Sequence, residues 1–173
     1  MPRSFDMSAD YEGSVEEVHR AFSENDYWLA RLEYFAVDES KVESMRVGAE
    51  SGSNTIEVVT LQVVRSHNLP GLVTQVHSGD LCIRREETWS PVTDGAATAS
   101  IRGSILDAPV NLLGTAVLSP IAASGGARLE VRVTVHVRIP LIGGKLEKLI
   151  GGQLAAVLED EQRFTTTWIA NNA

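Results

Sequence analysis

From residue 127 to residue 139 the chain alternates without a break. Leu129, Val131, Val133, Val135 and Val137 fall on one face, and Arg128, Glu130, Arg132, Thr134, His136 and Arg138 on the other. A period of two sustained this long describes a strand of an antiparallel sheet with one dry face and one wet face. The dry face needs a cover, and the cover follows directly in the chain. Residues 142–170 carry Leu146, Leu149, Ile150, Leu154, Val157, Leu158, Phe164 and Trp168 at helical spacing. Lys145, Lys148, Glu159, Asp160 and Arg163 fall mostly on the opposite side. Such a helix spans ~40 Å, enough to cross a small sheet. Strand and helix together restrict the chain to an α+β fold: a curved antiparallel sheet closed by one long C-terminal α-helix.

The remaining segments fit that frame. Residues 4–11 read as a first strand. Ser14-Val15-Glu16-Glu17 is a capping box, with Val15, Val18 and Phe22 at helical spacing behind it. Asp26 is placed to cap a second short helix, with Trp28, Leu29, Leu32 and Phe35 on its inner side. Residues 42–50 and 55–64 predict a hairpin around Ser51-Gly52-Ser53-Asn54. Leu69, Leu72, Val73 and Val76 have helical spacing within residues 66–79, with Pro70 acceptable in a first turn. Strands are expected at 81–89, 97–106 and 110–119, with turns at 91–95 and 107–109. Two glycine pairs, Gly143-Gly144 and Gly151-Gly152, mark the last helix. The second pair predicts a close backbone approach, a bend, a point of access, or a delayed helix start.

Size and charge narrow the function. The 173 residues fit one domain, 1–173, and 43% hydrophobic residues are enough for a substantial core. A net charge of −8 repels phosphate backbones, so nucleic acid is an unfavourable partner. Cys82 is the only cysteine, which leaves no intrachain disulfide and no cysteine-rich zinc site. Met1-Pro2-Arg3-Ser4-Phe5-Asp6 lacks the apolar stretch of a secretory signal, and apolar runs stop short of the ~18–20 residues of a membrane span. The expectation is a cytoplasmic protein without stable membrane insertion.

The order of strand, two short helices, antiparallel strands and long C-terminal helix resembles the helix-grip fold of the START and Bet v 1-like (SRPBCC) superfamily. More narrowly, residues 4–22, Glu87-Thr88-Trp89, and Ile139-Pro140-Leu141-Ile142-Gly143-Gly144-Lys145-Leu146-Glu147 look like an actinobacterial family, domain of unknown function 2505. The superfamily resemblance implies an apolar cavity between sheet and helix, and binding of lipids, sterols, polyketides or other hydrophobic molecules. The helical stretch near residues 69–78 departs from that pattern and would reshape the cavity entrance.

A search for chemistry finds little. No nucleophile elbow, Walker loop or dinucleotide fingerprint occurs, and His19, His67, His77 and His136 have no metal-ligand spacing. No catalytic residue, metal or cofactor is therefore assigned, and each histidine is expected to be solvated or capping. Glu87 carries an ambiguity. If Leu81 and Ile83 face inward, alternation sends Arg85, Glu87 and Trp89 inward too. An inward Arg–Glu pair could orient the polar end of a ligand, or Glu87 could serve as a general base in a desolvated pocket. A bulge that flips the register, or exposure at the rim, is the bland alternative.

Three functions stay open. The first is a binding protein holding a hydrophobic small molecule or lipid. Its expected cavity walls are Val59, Leu61, Ile83, Ile101, Leu112, Leu129, Val131 and Val133 on the sheet, with Trp28, Leu32, Leu146, Leu149, Ile150 and Val157 as cover. Gly103, Gly114, Ala97, Ala99 and Ala116 leave less bulk than a solid core would use. The second is a cyclase- or dehydratase-like enzyme using Glu87 and Arg85, and the third a protein-interaction module.

Overall fold

A computed structural model describes residues 2–48 and 54–172. The chain runs β1 (Arg3–Tyr11), α1 (Val15–Phe22), α2 (Asn25–Phe35), β2 (Glu39–Val47), β3 (Ile56–Val64), α3 (Gly71–Thr74), β4 (Leu81–Trp89), β5 (Ala97–Ile105), β6 (Val110–Pro120), β7 (Ala127–Val137) and α4 (Gly143–Asn171). The seven strands form one sheet in the order β1-β7-β6-β5-β4-β3-β2, and every neighbouring pair is antiparallel. The first and last strands of the chain are thus adjacent, and α4 leaves β7 to return across the dry face. This is the helix-grip arrangement that the order of elements implied.

Local chemistry sets the element boundaries. Glu17 N–H donates to Ser14 Oγ at 3.2 Å and Ser14 N–H to Glu17 Oε1 at 3.1 Å, which completes the capping box of α1. The second helix differs from expectation. Glu24 holds the N-cap position without a side-chain bond, and Asp26 lies inside the first turn, where its charge complements the helix dipole. Its buried face is Tyr27, Trp28, Arg31 and Leu32, whereas Leu29 is exposed. Between β3 and β4, the helical spacing yields only a short 3₁₀ turn, Ser66–Asn68, and the single turn of α3. Asp38 and Asp80 hold this connection by accepting from Arg65 N–H at 2.7 Å and Ser66 N–H at 2.8 Å. The turn expected at Ser51–Asn54 lies outside the described residues except for Asn54. His19, expected to be solvated or capping, is buried with Nε2 2.9 Å from the Ser90 carbonyl oxygen.

The glycine pair of α4 has a definite reason at one of its members. The helix runs unbroken from Gly143, so the delayed start is excluded. Gly151 is buried against β1, where a Cβ would come within 2.2 Å of the Phe5 ring, while a Cβ on Gly152 would meet nothing within 4 Å. Opposite results are expected from the two alanine replacements. Gly152→Ala should stabilise by ~1 kcal/mol through helix propensity. Gly151→Ala should destabilise by about 1–3 kcal/mol through overpacking, with the penalty removed in a Phe5→Ala background. Urea denaturation would decide, and equal behaviour of the two variants would refute the close-approach account.

The beginning of α4 is tied to the end of the sheet by Glu147. Its side chain is fully buried, and Oε2 accepts from the Val137 backbone N–H at 2.9 Å. β1 begins opposite Val135, so Glu147 takes over where the β1–β7 ladder stops. Its Oε1 has no hydrogen-bond partner among the described residues and lies 3.9 Å from Arg3 Nε.

Candidate functional site

Two hydrophobic clusters run along α4, with Leu154 packed against both, and unfilled space adjoins each of them. At one end, Tyr11, Val18, Phe22, Tyr27, Trp28, Ile56 and Trp89 pack with Phe164, Trp168 and Ile169 of the helix. At the other, Val135, Val137 and Leu146 pack with Leu72, Val76, Ile139 and Ile142. Two adjoining lobes of about 330 and 260 Å³ lie between the sheet and α4, and both are lined by Ile83, Gly103, Leu112 and Leu154. Small-molecule pockets generally occupy ~300–1,000 Å³.

The larger lobe is aliphatic. Leu81, Ile105, Val110, Val135 and Val137 come from the sheet, and Leu146, Leu149 and Ile150 from α4. Val73, Val76 and His77 from the β3–β4 connection and Asp107, Ala108 and Pro109 from the β5–β6 turn complete it. The reshaped entrance expected from residues 69–78 thus corresponds to an added wall.

The smaller lobe contains a group of four charges. β4 keeps strict alternation, so Arg85, Glu87 and Trp89 face inward together with Ile83. Glu161 of α4 accepts from Arg85 Nη1 at 2.8 Å and lies 2.5 Å from Arg31 Nη2. Arg85 Nε also lies 3.0 Å from Glu87 Oε2, while Trp89 Nε1–H donates to Glu87 Oε1 at 3.2 Å. Arg31 donates to Tyr27 Oη at 3.2 Å and stacks its guanidinium 4.7 Å from the Trp28 ring centroid. Tyr27 Oη is 2.6 Å from Thr165 Oγ1, which donates to the Glu161 carbonyl at 2.7 Å.

The electrostatics follow from this geometry. Burial pushes the Glu161 carboxyl up, but Arg31 and Arg85 outweigh it and hold the group down to about 2. Burial likewise works against charge on Arg31 and Arg85, and Glu161 and Glu87 reverse it, so both guanidiniums are raised. Two cations and two anions therefore neutralise one another inside the lobe.

The expected wall residues separate into two groups. Ile83, Arg85, Glu87, Trp89, Ile101, Leu112, Leu129, Val131, Val133 and Val157 line the smaller lobe, and Leu146, Leu149 and Ile150 the larger. Val59 and Leu61 do not belong to the wall. β3 buries Ile56, Val58 and Thr60, which sends Val59 and Leu61 to the outer face opposite Glu86 and Arg84. Trp28 and Leu32 also lie off the wall. Trp28 is enclosed by Phe22, Tyr27 and Arg31, with Nε1–H donating to the Phe22 carbonyl at 2.8 Å. Sequence reasoning missed Tyr11, Arg31, Thr60, Gln62, Leu154 and Glu161 as lining residues. For Glu161 a signal existed: Leu154, Leu158, Glu161, Thr165 and Trp168 form a single i, i+4, i+7 stripe.

Comparison with known proteins agrees with this architecture. Residues 6–169 match the family described as "Protein of unknown function (DUF2505)". The chain is 72% identical over 173 residues to uncharacterised proteins of Mycobacterium tuberculosis (Rv0481c) and Mycobacterium bovis (Mb0491c), covering 99% of each chain. Among solved structures, it is similar to TTHA0849 of Thermus thermophilus with a TM-score of 0.57 and 18% identity, over 99% of this chain and all of that one. A START superfamily protein from Mycobacterium smegmatis gives 0.52 and 11%, over 98% and 99% of the two chains. Norcoclaurine synthase of Thalictrum flavum, solved with dopamine and hydroxybenzaldehyde, gives 0.55 and 13%, over 100% and 89%. The fold is the Bet v 1-like helix grip, and no helix among the described residues is long and apolar enough to cross a membrane.

Proposed function

We propose, on the premise that this chain belongs to the DUF2505 family of proteins of unknown function, that it binds and carries a hydrophobic small molecule or lipid between its sheet and α4. One observation supports this reading above the others. The space under α4 is unfilled where a solid core would be dense, and most of its wall is aliphatic. The helix-grip resemblance implies a hydrophobic ligand, and the charge of −8 disfavours nucleic acid as the partner. The working compartment in this reading is the cytoplasm.

Titration with a fluorescent fatty-acid probe tests it. Saturable uptake at about one probe per chain is expected for a single cavity of this size. Emission that rises without saturation, together with no molecule carried through purification in native mass spectrometry, would remove the carrying role.

An enzymatic role retains its residues, since Arg85 and Glu87 both face the smaller lobe. Both are engaged, however: Arg85 by Glu161 and Glu87, and Glu87 by Arg85 and Trp89. A general base needs reach to a substrate proton. Engagement of Glu87 on both oxygens favours a positioning part for this carboxylate over a proton-transfer part.

A further inference from the structure

The four charges of the smaller lobe are spent on one another, whereas three neutral polar groups beside them are not. Tyr11 and Thr60 are only 4% and 6% exposed, both line the lobe, and neither side chain makes a hydrogen bond among the described residues. Gln62 lines the same wall two residues further along β3, its amide likewise without such a bond among the described residues. Thr60 stands opposite Arg85 across the strand pair, and Tyr11 and Gln62 line the same lobe as the ion quartet.

Resting on the carrying role above, we propose that the ligand is an uncharged amphipath. Its hydroxyl, carbonyl or amide end hydrogen-bonds Tyr11, Thr60 and Gln62, and its hydrocarbon part occupies the aliphatic lobe. A carboxylate or phosphate would have to take Arg31 or Arg85 from Glu161, which both guanidiniums hold at 2.5–2.8 Å. An ammonium would have to take Glu161 or Glu87 from Arg85. Either ion brings a net charge into a lobe already balanced, where an unpaired buried charge is strongly disfavoured. A neutral group requires only donors and acceptors, and the three free side chains supply both. Burial also pushes the Tyr11 phenol up, so it remains an O–H donor.

Displacement of Nile red from the full chain distinguishes the head groups. Dodecanol, dodecanamide, dodecanoate and dodecyltrimethylammonium are compared below their micelle concentrations. The alcohol and amide are expected to displace the dye at concentrations about tenfold lower than either ion. Tyr11→Phe and Thr60→Val, both conservative in volume, should each weaken dodecanol by about threefold to tenfold, which simple partitioning would not reproduce. Equal or better displacement by either ion, or an unchanged preference in both folded variants, overturns the neutral-head assignment while leaving the carrying role standing. Absence of saturable Nile red uptake overturns both.

Discussion

Replacing Glu161 with glutamine is expected to destabilise the fold by about 3–5 kcal/mol, far more than loss of an exposed ion pair. Glu161 is the shared counter-ion of Arg31 and Arg85, and its side chain is only 12% exposed. Without its charge, two guanidiniums remain under α4 with Glu87 as the only anion of the quartet. Urea denaturation with an unchanged m-value would measure the loss. Adding Arg31→Met should recover part of it, because the surplus cation is then removed as well. The pH dependence has a definite sign. The Glu161 carboxyl lies at about 2 in the fold against an ordinary value of 4.5, so its contribution is fully present above pH 4.5 and is lost as pH falls towards 2. The glutamine variant should show a flatter acid limb over that window. A loss under about 1 kcal/mol would mean that the quartet behaves as a solvated surface cluster.

Legibility from the sequence followed the hydrophobic period. β7 and α4 were readable almost to the residue, because one alternates strictly and the other keeps its apolar stripe. β3 was readable as a strand but not in phase: Val58, Val59, Leu61, Val63 and Val64 make both faces apolar, so period alone does not select one. The phase is set by pairing with β4, where Ile56, Val58 and Thr60 oppose Trp89, Glu87 and Arg85. That register was hidden because a 3₁₀ turn and α3 separate the two strands instead of a tight hairpin. The quartet was half legible for a related reason. Alternation pointed Arg85 and Glu87 inward, but Arg31 and Glu161 occupy helix positions that polarity alone assigns to solvent. They are buried because each supplies the other's counter-charge, a relation between residues 130 positions apart, and the one local sign of it is the place of Glu161 on the Leu154–Trp168 stripe.

Filling the junction of the two lobes is expected to abolish uptake while leaving the protein folded. Leu154 of α4 lines both lobes, facing Ile83, Gly103 and Leu112. Leu154→Trp places an aromatic ring where a ligand would pass from the aliphatic lobe to the polar one. Probe affinity should fall by about tenfold or more, equivalent to ~1.4 kcal/mol. Stability should change by less than about 1 kcal/mol or rise, because the added ring occupies space that is unfilled on both sides of Leu154. The contrast with Gly151→Ala is instructive, since there the added carbon meets the Phe5 ring and the same helix has no room. Leu113→Ser, on the exposed outer face of β6, serves as the control that leaves uptake unchanged. Undiminished uptake by a folded Leu154→Trp protein would put the ligand outside the lobes. A destabilisation of about 1–3 kcal/mol would instead mark overpacking, and the space under α4 would then be core, not cavity.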